Sequence, residues 1–138
     1  MVKGCEKKRS AEAVCGRSHL KHWPIQIGCV PPIAPFFENA HLLVAADCVA
    51  YACADFHARY MKGKVTLIGC PKLDSIDSID KFAAILRNNS IKSVTIVRMD
   101  ASCCRGIVNA VITALQGCGK VIPWWSVTLS TRGEVVSG

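Results

Sequence analysis

The sequence predicts an α/β fold: a small three-layer domain built on a mostly parallel sheet of four to five strands. Three observations predict it. From Trp23 onward, apolar runs of strand length alternate with amphipathic segments of helix length. The runs are rich in Val, Ile, Leu and Ala at successive positions, as strands covered on both faces must be. The strand–helix–strand order then implies parallel neighbours joined by right-handed crossovers. A chain of 138 residues suffices for one domain with a real core and not for two.

Taken in order, residues 1–22 read as a basic, flexible segment and residues 23–138 as the single folded domain. The first segment holds six Lys or Arg against two Glu, so four of the seven net positive charges lie there. Ile25–Ile27 reads as a short strand. It leads into Val30-Pro31-Pro32-Ile33-Ala34-Pro35, where three prolines enforce an extended, irregular path. Leu42–Ala46, Val65–Ile68 and Val94–Val97 read as buried strands, and Val127–Leu129 as a last one. Val49–Met61 reads as a helix. Asp77–Asn88 is a second, with Ile79, Phe82, Ala83, Ile85 and Leu86 on its apolar side. Arg105–Gln116 is a third, turning Ile107, Val108, Val111, Ile112 and Leu115 to the core, with Gly117 near its end.

Composition narrows the function classes. Apolar residues make up 51% and charged residues 20%, which is globular and argues against disorder. The most apolar stretch, Leu42–Ala54, contains Asp47 and is shorter than the roughly 20 residues that span a bilayer. The N-terminus is polar and lacks the apolar region of a secretory signal. The expected location is therefore the cytoplasm, with no membrane partner. No zinc-finger spacing, arginine-rich repeat or aromatic stacking series speaks for nucleic acid. Nine cysteines, about one residue in fifteen, fall below the roughly 8–10% of disulfide-built scaffolds. In a reducing compartment such cysteines point to metal or redox chemistry.

Four of them share one predicted address. Cys48 follows the strand Leu42–Ala46, Cys70 follows Val65–Ile68, and Cys103 and Cys104 follow Val94–Val97 after a short turn. In a parallel sheet these strand ends lie on the carboxyl edge, where open α/β folds place their ligands. Cys48 and the Cys103-Cys104 pair also sit where helices begin, which favours the thiolate that binds metal. Adjacent cysteines project about 100° apart on a helix, so ligation by both Cys103 and Cys104 requires a non-helical turn. Asp47 beside Cys48, and His57 on the following helix, are the candidate catalytic helpers; a histidine ligates metal or carries protons. Arg105, flanking the pair, is expected either to offset the charge of a thiolate-bound cluster or to be solvated. Cys5, Cys15, Cys29, Cys53 and Cys118 are left out of the site. Cys53 lies about 140° round the helix from Cys48, and Cys118 lies at a distant helix end.

The same residues resemble a known family. Trp23-Pro24-Ile25-Gln26, Val30-Pro31-Pro32-Ile33-Ala34-Pro35-Phe36-Phe37, Ala45-Ala46-Asp47-Cys48-Val49-Ala50, Asp55-Phe56-His57, Gly69-Cys70-Pro71-Lys72-Leu73-Asp74, Val97-Arg98-Met99 and Cys103-Cys104 look like the iron–sulfur-binding, ferredoxin-fused proteins of anaerobic bacteria and archaea. The resemblance runs from about Trp23 to Val135. It implies cluster ligation by Cys48, Cys70, Cys103 and Cys104. Cys103-Cys104-Arg105-Gly106 stands where family members often carry Cys-Cys-Gly-Gly. The family's N-terminal ferredoxin module is expected to be absent here.

The leading expectation is thus a redox protein that holds a 4Fe–4S cluster through Cys48, Cys70 and one or both of Cys103 and Cys104, for electron transfer or for reductive chemistry at an open iron position. A second is a mononuclear zinc hydrolase or hydratase using Cys ligands with His57 and an open water position. A third is a non-catalytic subunit of a redox complex. The expected partner is a ferredoxin or another acidic redox protein, drawn by the basic segment. Self-association stays open.

Overall fold

A computed structural model describes residues 16–70 and 77–138. Five strands form one sheet: β1 (His41–Ala46), β2 (Val65–Gly69), β3 (Ser93–Met99), β4 (Trp124–Leu129) and β5 (Val135–Ser137), in the spatial order β2-β1-β3-β4-β5. The first four run parallel, and β5 is antiparallel to β4. Three α-helices are described: α1 (Val49–Ala52), α2 (Asp77–Asn88) and α3 (Arg105–Gly117). The α/β expectation with a mostly parallel sheet holds.

The strands are apolar at consecutive positions because both faces are covered. Leu42 and Val44 share a register with Val94 and Ile96, while Leu43 and Ala45 share one with Thr95 and Val97. All eight are buried. Helices α2 and α3 pack against each other. Phe82, Ile85 and Leu86 from α2, and Ile107, Val111 and Ala114 from α3, join this core. Chain crossing from β2 to β3 and from β3 to β4 proceeds in one direction along the sheet, and from β1 to β2 in the other. Right-handed crossovers therefore place α2 and α3 on one face and the β1–β2 connection on the opposite one. At the end of α2, Asn89 Nδ2 donates to Ile85 O and to Pro32 O, each at 2.8 Å. One amide thus stops the helix and pins the proline-rich loop.

Three elements differ from the sequence reading. The single helix expected over Val49–Met61 is broken: α1 ends at Ala52, Cys53 is extended, and a π-helical turn covers His57–Met61. At the break the chain meets a long-range neighbour: Gly133, in the turn after β4, abuts the Ala52 carbonyl and the Cys53 Cα. β4 begins at Trp124 rather than Val127, because its pairing with β3 starts at Val94 opposite Trp124. β5, all three of whose residues are exposed, carries no burial signal to read.

The segment before β1 is also more integrated than a boundary at Trp23 implies. Gln26 bridges Ile68 in parallel. Ile68 donates its N–H to Ile25 O at 2.9 Å, and its carbonyl accepts from Ile27 N at 3.0 Å. The Ile25–Ile27 strand is thus a single bridge that shields the β2 edge. His22 adds to it by accepting a hydrogen bond from the Thr66 N–H, while residues 1–15 lie outside the described residues. Deleting residues 1–20 removes none of these contacts to β2. The truncated chain is expected to keep its far-ultraviolet circular dichroism; collapse of that signal would show that the basic segment is structural.

Among the described residues, no helix is long and apolar enough to cross a membrane.

Candidate thiolate site at the sheet edge

The strand order decides where the site residues meet. β1 and β3 are neighbours, yet β1 leads away to β2 on one side and β3 leads away to β4 on the other. Their carboxyl ends therefore diverge into separate connections and leave a crevice, the topological switch point at which open α/β sheets bind ligands. Cys48 lies on the β1 side of that crevice, and the Ser102–Cys104 turn lies on the β3 side.

At the end of β1, the Asp47 N–H donates to Gly69 O at 3.1 Å, extending the β1–β2 ladder past its last paired residues, Ala46 and Gly69. This fixes the main chain of Asp47 and Cys48 beside that of Cys70. Asp47 is half-buried, Cys48 exposed and Cys70 half-buried. α1 is a single turn of four residues, so any support of a Cys48 thiolate by a helix terminus is confined to that turn. Beyond Cys70, the Pro71-Lys72-Leu73-Asp74 part of the motif lies outside the described residues.

At the end of β3, the Asp100 N–H donates to Leu129 O at 2.7 Å, holding the loop to β4. Ser102–Cys104 then forms a 3₁₀ turn that delivers the chain into the thirteen residues of α3. That turn is itself helical and sets adjacent residues about 120° apart, so it is not the non-helical turn that ligation by both Cys103 and Cys104 requires. Cys104 is only 4% exposed, so its thiol belongs to the core side of the turn. The Cys103 main chain lies in the same turn, and its side chain lies outside the described residues. Arg105, the first residue of α3, is exposed.

His57 sits elsewhere. It opens the π-helical turn on the way back to the start of β2, and its Nδ1 accepts the His19 N–H at 3.1 Å. That bond leaves Nε2 as its ligating atom. Cys53 is buried, and its Sγ lies 3.2 Å from Asp55 Oδ1. Burial, reinforced by the Asp55 carboxylate, pushes this thiol up, away from the reactive thiolate. Cys118 is buried at the far end of α3 and donates to Leu115 O at 3.1 Å. Cys5 and Cys15 lie outside the described residues. Among the described residues, no three His, Cys, Asp or Glu side chains converge closely enough to hold a metal ion.

Sequence reasoning passed over Cys29. It stands three residues beyond Gln26, in a turn closed by its own N–H on Gln26 O at 2.9 Å. Because Gln26 pairs in parallel with Ile68, the turn emerges at the carboxyl end of β2, where Cys70 stands two residues beyond Ile68. Lys81 Nζ holds the Gly28 carbonyl at 2.9 Å and fixes that turn to α2. The exposed Cys29 thus belongs to the same sheet edge. The one available signal was the reading of Ile25–Ile27 as a strand, which, taken as parallel, carries Cys29 to this edge.

Comparison with known proteins agrees with the architecture. An uncharacterized protein of Archaeoglobus fulgidus is 29% identical over 101 residues, covering 73% of this chain and 71% of that protein. No solved structure gives a significant match. The model of a family described as a Rossmann-like domain matches residues 34–138, from the approach to β1 through β5, and the chain belongs to that family.

Proposed function

We propose that this protein binds a 4Fe–4S cluster at the carboxyl edge of its sheet and uses it for electron transfer or reductive chemistry in the cytoplasm. The observation that carries the reading is the strand order: β2, β1 and β3 are consecutive and parallel, and each is followed within a few residues by cysteine. Cys70, Cys48 and Cys103 supply three thiolates from three adjacent loops. Cys104 completes the set only by turning out of the core, so the fourth iron position is the one left to solvent or substrate. The donor set is all sulfur, which suits an iron–sulfur cluster better than a site built on carboxylates. Asp47, at the same edge, is placed to carry a proton to a substrate held there.

The test is anaerobic purification followed by iron and acid-labile sulfide analysis. The reading expects brown protein with iron and sulfide in equal amounts. Colourless protein carrying zinc would overturn it.

Electrons would come from an acidic ferredoxin steered by the Lys7-Lys8-Arg9 and Arg17 region. Such steering weakens as the Debye length shrinks from about 10 Å at 0.1 M salt to about 3 Å at 1 M. Stopped-flow reduction by ferredoxin is therefore expected to slow with salt, and to slow again when residues 1–20 are deleted. Reduction by a small neutral reductant should show neither effect. Rates indifferent to both would make the basic segment a solvated end only.

A further inference from the structure

The outer edge of β2 is closed partly by an imidazole. β2 is the first strand in the sheet, so half of its main-chain groups point away from β1. Ile68 satisfies both of its groups on the passing segment, through Ile25 O and Ile27 N. Two residues earlier, Thr66 turns its N–H onto His22 Nε2 at 3.0 Å. The ring is held there by stacking on Phe36, with centroids 4.6 Å apart and planes inclined by 27°. The segment thus grips β2 at two places, and one of the grips is titratable.

An imidazole accepts at Nε2 only while its proton sits on Nδ1 alone. His22 Nδ1 is buried and makes no hydrogen bond of good geometry. A second proton would set an Nε2–H against the Thr66 N–H and leave a cation in a half-buried site. Burial accordingly holds the His22 imidazole below its usual value of 6.5, offset in part by the backbone of Thr66 and Pro24. The groups against the ring, the Thr66 backbone from β2, the Pro24 backbone and the Phe36 ring from the Pro35–Phe37 turn, do not titrate. The nearest charged or titratable side chains along these elements are Lys64 just before β2, Glu38 beyond the turn, and His19 and Lys21 on the segment itself. None of them contributes to the shift.

We propose that His22 is an acid-sensitive latch that holds the segment Trp23–Ile27 against the outer edge of β2 and releases it when protonated. The native state prefers the neutral ring. The latch is therefore fully effective above pH 6.5 and is lost as pH falls below that value, through the lowered native one. Release uncovers Ile68, two residues from Cys70, and carries Cys29 away from the edge. Protonation thereby changes access to the Cys70 side of the crevice. The latch itself stands whether or not that edge holds a cluster.

Amide hydrogen exchange of the full chain, followed by NMR and corrected for intrinsic rates, tests it. As pH falls through and below 6.5, protection at Thr66 and Ile68 is expected to drop together by about tenfold or more. Val44 and Ile96 in the sheet centre should keep theirs. The loss should follow the titration of the His22 ring measured in the same samples. His22→Gln, whose side-chain oxygen accepts without titrating, should show no acid loss. Flat Thr66 protection in the wild type, loss that does not follow the ring titration, or equal acid loss in His22→Gln would each overturn the latch. The first two apply even if the variant does not fold.

Discussion

Gly133→Ala is expected to destabilise the protein by about 2–5 kcal/mol, from a left-handed backbone penalty of roughly 1–2 kcal/mol and an overpacking cost of roughly 1–3 kcal/mol. Gly133 has a φ of +79°, which side-chain-bearing residues rarely adopt. A Cβ there would overlap the Ala52 carbonyl and come within 2.9 Å of the Cys53 Cα. The turn has little freedom to retreat. Ser130 Oγ accepts from Arg132 N and Glu134 N, both at 3.2 Å, and Ser130 N donates to Glu134 O at 2.8 Å. The consequence reaches the site. β3 lies between β1 and β4, so the turn after β4 and the helix after β1 meet over the end of β3. Ala52 ends the single-turn helix that Cys48 begins. Urea unfolding should show the loss in midpoint without a change of slope. A shift below about 0.5 kcal/mol, the range of an ordinary surface substitution, would show that the contact is not tight.

Cys70→Ser and Cys48→Ser are each expected to lose most of the bound iron, while Cys118→Ser keeps it. Cys48 is exposed and Cys70 half-buried, so neither replacement disturbs the core, and their circular dichroism should match the parent. Cys118 is buried, but a serine hydroxyl reproduces its bond to Leu115 O. Any cost there should appear in stability rather than in metal content. Equal iron in all three variants and the parent would remove the site from this edge.

Much of the fold was legible because the strands are buried on both faces. Leu42–Ala46 and Val94–Val97 are largely apolar at consecutive positions for that reason, and runs of strand length located them. α2 was also readable: its apolar stripe is a local signal, and the helix ends where the Asn89 amide caps the Ile85 carbonyl. The break after Ala52 was not readable. The chain packs there against a glycine some eighty positions away in sequence, and nothing between Val49 and Met61 reports it. His22 was likewise hidden, because one histidine in a basic segment carries no sign that a strand edge lies against it.

The site was legible as an address rather than as a geometry. Strand ends in a parallel sheet share an edge, so Cys48, Cys70 and Cys103-Cys104 could be placed together before any coordinates. That Cys104 is buried required the structure. Cys29 needed the parallel bridge at Gln26, and His57 needed its bond to the His19 amide, before either could be placed.

Anomalous scattering at the iron edge from an anaerobically grown crystal tests the central claim most directly. The account predicts one strong peak at the carboxyl edge of the sheet, between the loops after β1, β2 and β3, with the sulfurs of Cys48, Cys70 and Cys103 about 2.3 Å from the nearest metal, as for other metal–thiolate bonds. A crystal of colour-bearing protein with iron elsewhere, or an edge in which these cysteines point apart and hold nothing, would contradict it.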